Sequence, residues 1–364
     1  MTAAAVPIAD TPGRLTAAWL TDALASGGAL AGARVTDATV RPLGTGQMCD
    51  SVRVTLTYDR PTDAPATLVA KLPAADPTSR ATARSLRSYE KEVRFYQHLA
   101  AGLPIRTPAA YYADIDVDTA AFVLLLEDLA PAEQGDQLAG CTPEVAQLAV
   151  TEAVGLHAPR WDDPALRELD WLHGDPELNR AFLMALLPTL WDGFRDCYAA
   201  DLSPHVHQAG EVLFAHLEAY LTPDPDARTI VHGDYRLDNL LLDPTPGAKP
   251  IAVVDRQTCT VGSGTHDVAY FIGAGLREDD RRAVEQDLVR RYHEALVDAG
   301  VEGYGWERCW RDYRRGTWAG LLMAVAASML VERTDRGDQM FLTMASRHAR
   351  HALDLDAAEI IAGA

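Results

Sequence analysis

Apolar and polar residues along this chain alternate first and then fall into helical spacing. From Val35 onward the period is two. Val52, Val54 and Leu56 are separated by Arg53, Thr55 and Thr57, which predicts a half-buried strand. Leu68-Val69-Ala70-Lys71-Leu72 predicts a second strand, set off by the turn-forming Asp59-Arg60-Pro61-Thr62-Asp63. Leu86, Tyr89, Val93, Tyr96 and Leu99 then follow i, i+3, i+4 steps and predict one helix with a single apolar stripe. A short opening helix over 15–24 is ended by Gly27-Gly28. The continuous apolar run Phe122-Val123-Leu124-Leu125-Leu126 predicts a buried strand broken by Glu127-Asp128.

Beyond residue 142 the spacing is helical, with one exception. Within 229–255, the runs Leu240-Leu241-Leu242 and Ile251-Ala252-Val253-Val254 flank Asp243-Pro244-Thr245-Pro246-Gly247, which is turn chemistry. That predicts a β-hairpin embedded among helices. A strand-rich first part and a helical second part give an α+β chain of two lobes, residues 1–125 and 126–364.

Composition narrows the classes. Five widely scattered cysteines without a CxxC pair argue against a disulfide framework or a structural zinc site and fit a reducing cytoplasm. The opening residues lack a basic start followed by an apolar run, so no signal peptide is expected. The apolar stretch 319–331 is too short to span a bilayer, so no membrane association is expected. The net charge of −19 disfavours a nucleic-acid partner, which would need Lys/Arg patches. Residues 1–125 hold 12 acidic and 12 basic side chains, leaving 40 acidic against 21 basic in the remainder. The excess is read either as a solubilising surface or as an acidic cleft for a cationic substrate.

The densest chemistry is His232-Gly233-Asp234-Tyr235-Arg236-Leu237-Asp238-Asn239, with Asp255 sixteen residues further on. Phosphoryl transfer needs a carboxylate to orient the attacking hydroxyl and accept its proton, and oxygen ligands for Mg²⁺ against the phosphates. Asp234 and Asn239 stand five apart, the spacing of the catalytic Asp and Asn of protein kinases. The hairpin returns the chain, so Asp255 at the end of its second strand is expected beside Asn239. A lone His-Gly-Asp is weaker, because Gly-Asp is also an ordinary turn. A metal-dependent hydrolase is the competing enzyme reading, through His205, His207, His232 and Asp234. A catalytically inactive nucleotide-binding protein is the competing non-enzyme reading.

The block resembles the signature of the aminoglycoside phosphotransferase and choline-kinase-like superfamily, including its ecdysteroid-kinase-like branch. The resemblance implies a protein-kinase-like fold: a small β-rich N-lobe that clamps nucleotide phosphates, and a larger helical C-lobe holding the hinge, catalytic loop, metal site and acceptor pocket. In that family HGD-x4-N supplies the catalytic Asp, here Asp234, and a metal-binding Asn, here Asn239. The strand-end Asp, here Asp255, holds the other metal position. Val254-Asp255-Arg256-Gln257 and Gly264-Thr265-His266-Asp267-Val268-Ala269-Tyr270-Phe271 are similar to the family's following motifs, although an aromatic is usual where Arg256 stands. His232 and Asp267 are expected to support the loop rather than react.

The likeness continues into the first lobe. Leu43-Gly44-Thr45-Gly46-Gln47-Met48 lies where a phosphate-covering loop is expected, so Gly44, Gly46 and Ser51 are candidate nucleotide contacts. Lys71, the single lysine of the first 90 residues, is the candidate α/β-phosphate ligand, and a plain edge-strand lysine is the alternative. Its partner is Glu92, within Glu92-x-x-Phe95-Tyr96, with Glu90 as competitor. Leu125-Leu126-Glu127-Asp128-Leu129 resembles the hinge, with Glu127 and Leu129 offering backbone groups to a base. His157 in Gly155-Leu156-His157-Ala158 reads as a packed histidine. Trp306, Trp310, Tyr313 and Trp318 read as core or as lining for an acceptor. The implied activity is transfer of the γ-phosphoryl of ATP or GTP, with Mg²⁺, to a hydroxyl-bearing small-molecule acceptor.

Overall fold

The computed structural model describes residues 6–44, 48–173, 175–222, 228–243, 245 and 247–363. It divides into two compact units. The first comprises Met1–Gly102, Thr107–Pro131 and Asp255–Thr258, and the second Leu103–Arg106, Ala132–Val254 and Cys259–Ala364.

The first unit is an antiparallel sheet with helices. Its strands are β1 (Val35–Pro42), β2 (Cys49–Tyr58), β3 (Thr67–Pro73), β4 (Ala110–Asp116) and β5 (Ala121–Glu127), in the order β1-β2-β3-β5-β4. The period-two residues Val52, Val54 and Leu56 are buried on one face of β2. They share a core with Leu68, Ala70 and Leu72 of β3, and with Leu20 and Leu24 of helix α1 (Ala17–Ser26). Thr16 caps α1, its hydroxyl accepting from the Trp19 amide at 3.2 Å. The apolar run after residue 121 is buried because β5 lies inside the sheet, between β3 and β4.

One expectation is corrected. The stripe drawn from Leu86 to Leu99 is not one helix. Helix α2 (Pro77–Ser85) stops before Leu86, Arg87 turns left-handed at φ 55°, and helix α3 (Ser88–His98) starts afresh. Leu86 is consequently 47% exposed, whereas Tyr89, Val93 and Tyr96 of α3 are buried. The Tyr89 hydroxyl donates to the Met48 carbonyl at 2.6 Å and accepts the Ala74 amide at 3.1 Å, so α3 fastens the start of β2 and the end of β3.

Among the described residues the second unit is helical with five short strands. Helix α4 (Pro143–His157) is followed by α5 (Asp170–His173), α6 (Pro176–Cys197), α7 (Pro204–Ala215) and α8 (Leu217–Leu221). The predicted hairpin is present: β8 (Leu240–Leu242) pairs antiparallel with β9 (Ile251–Val253), and β6 (Glu133–Gln134) adds to its other edge. A second pair was not anticipated, β7 (Arg228–Val231) with β10 (Thr260–Ser263). Helices α9 (Gly264–Gly275), α10 (Glu278–Asp298), α11 (Trp306–Gly316), α12 (Ala319–Leu330), α13 (Asp335–Asp354) and α14 (Ala358–Ala362) complete it. Helix α9 is buried over nearly its whole length, and its Tyr270 joins a core with Phe194, Leu213, Trp318, Leu321 and Met344. The α+β class read from the pattern is borne out. Among the described residues no helix is long and apolar enough to cross a membrane.

Candidate active site

The loop between β7 and β8 is held by its main chain. Asp267, in the first turn of α9, accepts the His232 amide at 2.6 Å on Oδ2 and the Gly233 amide at 2.9 Å on Oδ1. Its third partner is His157 Nε2 at 3.2 Å. Burial raises the Asp267 carboxyl, but the His157 hydrogen bond and the nearby histidines outweigh it and hold the group at about 2. Gly233 has φ +79°, a left-handed turn that favours glycine. His232 Nε2 donates to the Val254 carbonyl at 2.9 Å while its Nδ1 accepts the Asp234 amide at 3.2 Å, which fixes the tautomer.

This turn presents Asp234, whose side chain is 18% exposed. Asn239 Nδ2 donates to the Asp234 main-chain carbonyl at 2.8 Å and to its Oδ2 at 2.9 Å. The Tyr270 hydroxyl donates to Oδ1 at 2.8 Å. Arg236 Nε lies 3.0 Å from both carboxylate oxygens, with its N–H aligned on Oδ2. Arg236 also pairs with Asp238, so one guanidinium serves two carboxylates. Burial and the Asp234 charge push the Tyr270 phenol well above its usual range, which keeps it a neutral donor. Neither Arg236 nor Tyr270 was assigned a role from the sequence. Arg236 lay inside the motif and its charge was a usable signal, whereas nothing local linked Tyr270 to Asp234.

In the first unit, Lys71 of β3 is buried, and its Nζ lies 2.6 Å from Glu92 Oε1 and 3.3 Å from Asp255 Oδ1. Glu90 turns instead to Arg87, at 2.8 Å. Burial pushes the Lys71 ammonium down, but the negative charge around it, that of Asp255 foremost and of Glu92, outweighs it and the pKa is raised well above the usual lysine range. Lys71 is thus a buried cation held between two carboxylates. Asp255 has φ +65°, an uncommon backbone for a side chain other than glycine or Asn/Asp, and its Oδ2 accepts Gln257 Nε2 at 3.1 Å. Arg256 is fully buried, its guanidinium 4.7 Å from the Phe95 ring centre. Where an aromatic was expected, the arginine lies over an aromatic contributed by α3.

The other candidates are distributed as follows. Ser51 is half-buried on β2 opposite Lys71 in register. Gly44 has φ +71°, so its glycine answers a backbone need. Gly46 lies outside the described residues. Glu127 ends β5 opposite Leu68, exchanging hydrogen bonds with Ala109 through its amide and its side chain, and Leu129 follows the strand. His157 is fully buried and bonds Tyr292 at 2.8 Å. His205 sits on α7 against Ser346 at 3.0 Å rather than at a strand end. Among the described residues no group of three His, Cys, Asp or Glu side chains is gathered to hold a metal. Tyr313 and Trp318 are core, while Trp306 and Trp310 are half-buried and stacked at 5.7 Å.

Chemically, Asp234 is a carboxylate whose orientation is set by three neighbours. Asn239 turns its amide nitrogen to Asp234, which leaves its oxygen as the end open to a cation. Its main-chain carbonyl accepts the Val254 amide at 3.0 Å, and Asp255 is the next residue along the chain. The donors offered, an amide oxygen and a carboxylate, are hard oxygens of the kind Mg²⁺ selects.

Comparison with known proteins bears on the family and the fold. A model of the "Phosphotransferase enzyme family" matches residues 45–310. Over 183 residues the chain is 25% identical to Acyl-CoA dehydrogenase family member 11 of Gallus gallus, covering 47% of this chain and 21% of that protein. The chain thus spans about a fifth of that relative's length. Among solved structures it resembles choline kinase from Cryptosporidium parvum Iowa II, with a TM-score of 0.56, 11% identity, and coverage of 90% of this chain and 91% of that one. A microcompartment-associated aminopropanol kinase gives a TM-score of 0.54, 17% identity, and coverage of 89% and 94%. At these identities the likeness establishes the kinase-like fold.

Proposed function

Because this chain belongs to the phosphotransferase enzyme family, matched over residues 45–310, we propose that it is a small-molecule kinase. It transfers the γ-phosphoryl of ATP or GTP to the hydroxyl of a small metabolite. The observation that carries the reading is the set of hydrogen bonds aiming Asp234, with Asn239 at 2.9 Å and Tyr270 at 2.8 Å.

Asp234 orients the acceptor hydroxyl and takes its proton as the hydroxyl oxygen bonds to the γ-phosphorus. The bond from that phosphorus to the bridging oxygen breaks, the nucleoside diphosphate leaves, and the proton passes from Asp234 to solvent. Lys71, locked against Glu92, offers a fixed positive charge to the α- and β-phosphates. Gly44, Gly46 and Ser51 are assigned to the phosphate-covering loop, and the backbone of Glu127 and Leu129 to the base. Asn239 and Asp255 are assigned as the protein ligands of Mg²⁺, which when bound neutralises charge on the β- and γ-phosphates. His232 and Asp267 hold the loop.

The acceptor class is an amine-bearing alcohol. Two observations support it: the acidic excess after residue 125, and the similarity to kinases whose names specify aminopropanol and choline. The test is a screen of hydroxylated and amino-hydroxylated metabolites with MgATP and MgGTP. Acceptor-dependent release of ADP or GDP is expected. Nucleotide binding without release under any acceptor would instead make the chain a non-catalytic nucleotide-binding protein.

A further inference from the structure

The ring of Tyr270 leans on a second buried ring. His348 of α13 is fully buried and lies 5.4 Å from Tyr270, centre to centre, with 28° between the planes. Room for this imidazole is cleared by two glycines. A Cβ on Gly273 of α9 would stand 2.6 Å from His348 Cε1 and Nδ1, and one on Gly320 of α12 would stand 1.9 Å from its Nε2. Real Cβ atoms do not approach so closely, so two helices yield volume to one histidine of a third. Burial and the neighbouring His351 push the His348 pKa well below the usual range, so the ring is a neutral, flat wall.

On the other side of Tyr270 lies the Asp234 carboxylate. A carboxylate has about four lone-pair sites. Asn239 fills one on Oδ2 and the Arg236 N–H is aligned on the same atom, while the Tyr270 hydroxyl fills one on Oδ1. The remaining Oδ1 lone pair is the one left for an incoming hydroxyl, and its direction follows from where Tyr270 pins that oxygen.

We propose that Tyr270 is a positioning residue that aims Oδ1 of Asp234 at the acceptor, and that His348, in its glycine-cleared slot, fixes where the Tyr270 hydroxyl points. The proposal rests on reading Asp234 as the proton-accepting group.

The test uses the full chain with MgATP, measuring both phosphate release with water as acceptor and transfer to 1-amino-2-propanol. Tyr270→Phe removes only the hydroxyl and is expected to lower kcat about tenfold with nucleotide KM unchanged, the scale of one lost hydrogen bond to a charged group. His348→Ala is expected to lower kcat as well. The double variant should be no slower than the slower single one, because both act through one hydroxyl. Crystals of Tyr270→Phe should show the Asp234 carboxylate turned, a readout that holds whatever the substrate. A carboxylate left in place, or a Tyr270→Phe variant with wild-type kcat while Asp234→Asn is inactive, overturns the positioning role alone. Wild-type turnover in Asp234→Asn would instead overturn the reading of Asp234 as the proton-accepting group, with the crystallographic result still reporting on Tyr270. Should His348→Ala fail to fold, Tyr270→Phe decides by itself.

Discussion

Asn239 donates its side-chain amide to both the main-chain carbonyl and the carboxylate of Asp234, at 2.8 and 2.9 Å. The five-residue spacing is thus closed into a ring by two hydrogen bonds. In this arrangement the Asn239 nitrogen holds the Asp234 carboxylate, and under the proposed function its oxygen would be the end that meets Mg²⁺.

The residues of the site should therefore fail in different ways. Asp234→Asn is expected to bind Mg-nucleotide with near wild-type affinity and to transfer phosphoryl at least about a hundredfold more slowly. Asp255→Ala should lose Mg²⁺-dependent nucleotide binding together with turnover. Asn239→Ala should fall between them, with partial rescue by high Mg²⁺. Calorimetry with and without Mg²⁺, set beside single-turnover rates, separates the three. Full activity in Asp234→Asn would remove Asp234 from the proton-accepting role.

Lys71 and Glu92 are 2.6 Å apart and both buried. Lys71→Ala is expected to reduce turnover at least about tenfold, or about 1.4 kcal/mol of transition-state stabilisation. Glu92→Gln keeps the shape but releases the lysine from one of its two carboxylates, so its defect should appear in nucleotide KM. Steady-state kinetics over nucleotide concentration reads both, and unchanged constants in Lys71→Ala would return that residue to a structural ion pair.

Acid should loosen the loop at Asp267. Its carboxyl is depressed from 3.8 to about 2 in the folded chain. A depressed carboxyl stabilises the fold fully above its unfolded pKa, and that share is lost as pH falls through the folded value. The window is therefore pH 4 down to pH 2, and the amount about 2 kcal/mol. Denaturant unfolding of wild type and Asp267→Asn should show a gap at pH 6 that closes across this window. A gap constant with pH would mean that the charge contributes nothing.

If the acidic second part of the chain selects the acceptor, amine-bearing alcohols should outcompete neutral ones, and the advantage should shrink as salt rises. Competition assays at low and high ionic strength check this. A salt-insensitive preference for a neutral alcohol would leave the −19 charge as a matter of solubility.

What the sequence made legible was local. Asp234 and Asn239 sit within one turn of each other, and the β8–β9 hairpin announces itself through Asp243, Thr245 and Gly247. The strands β2 and β5 follow from period-two and continuous apolar runs. What was hidden depends on contacts between distant segments. β7 pairs with β10 across about thirty residues and carries no turn signal of its own. Tyr270 reaches Asp234 only through the rotation of α9, which its packing against α4, α11 and α13 sets. Leu86 has the spacing of its neighbours, yet one left-handed residue, Arg87, takes it out of their helix. Apolar periodicity does not register a change of that size.

Asp267 grips the amides of His232 and Gly233 rather than their side chains. Any residue but proline at 232 would present the same N–H, while glycine at 233 is tied to a separate demand, its positive φ. The grip itself therefore comes from one side chain, that of Asp267. An exchange at 232 that spares the main chain removes the imidazole's bonds to Val254 and Asp234 but leaves both amide contacts to Asp267, so the turn has two fastenings that can be lost one at a time.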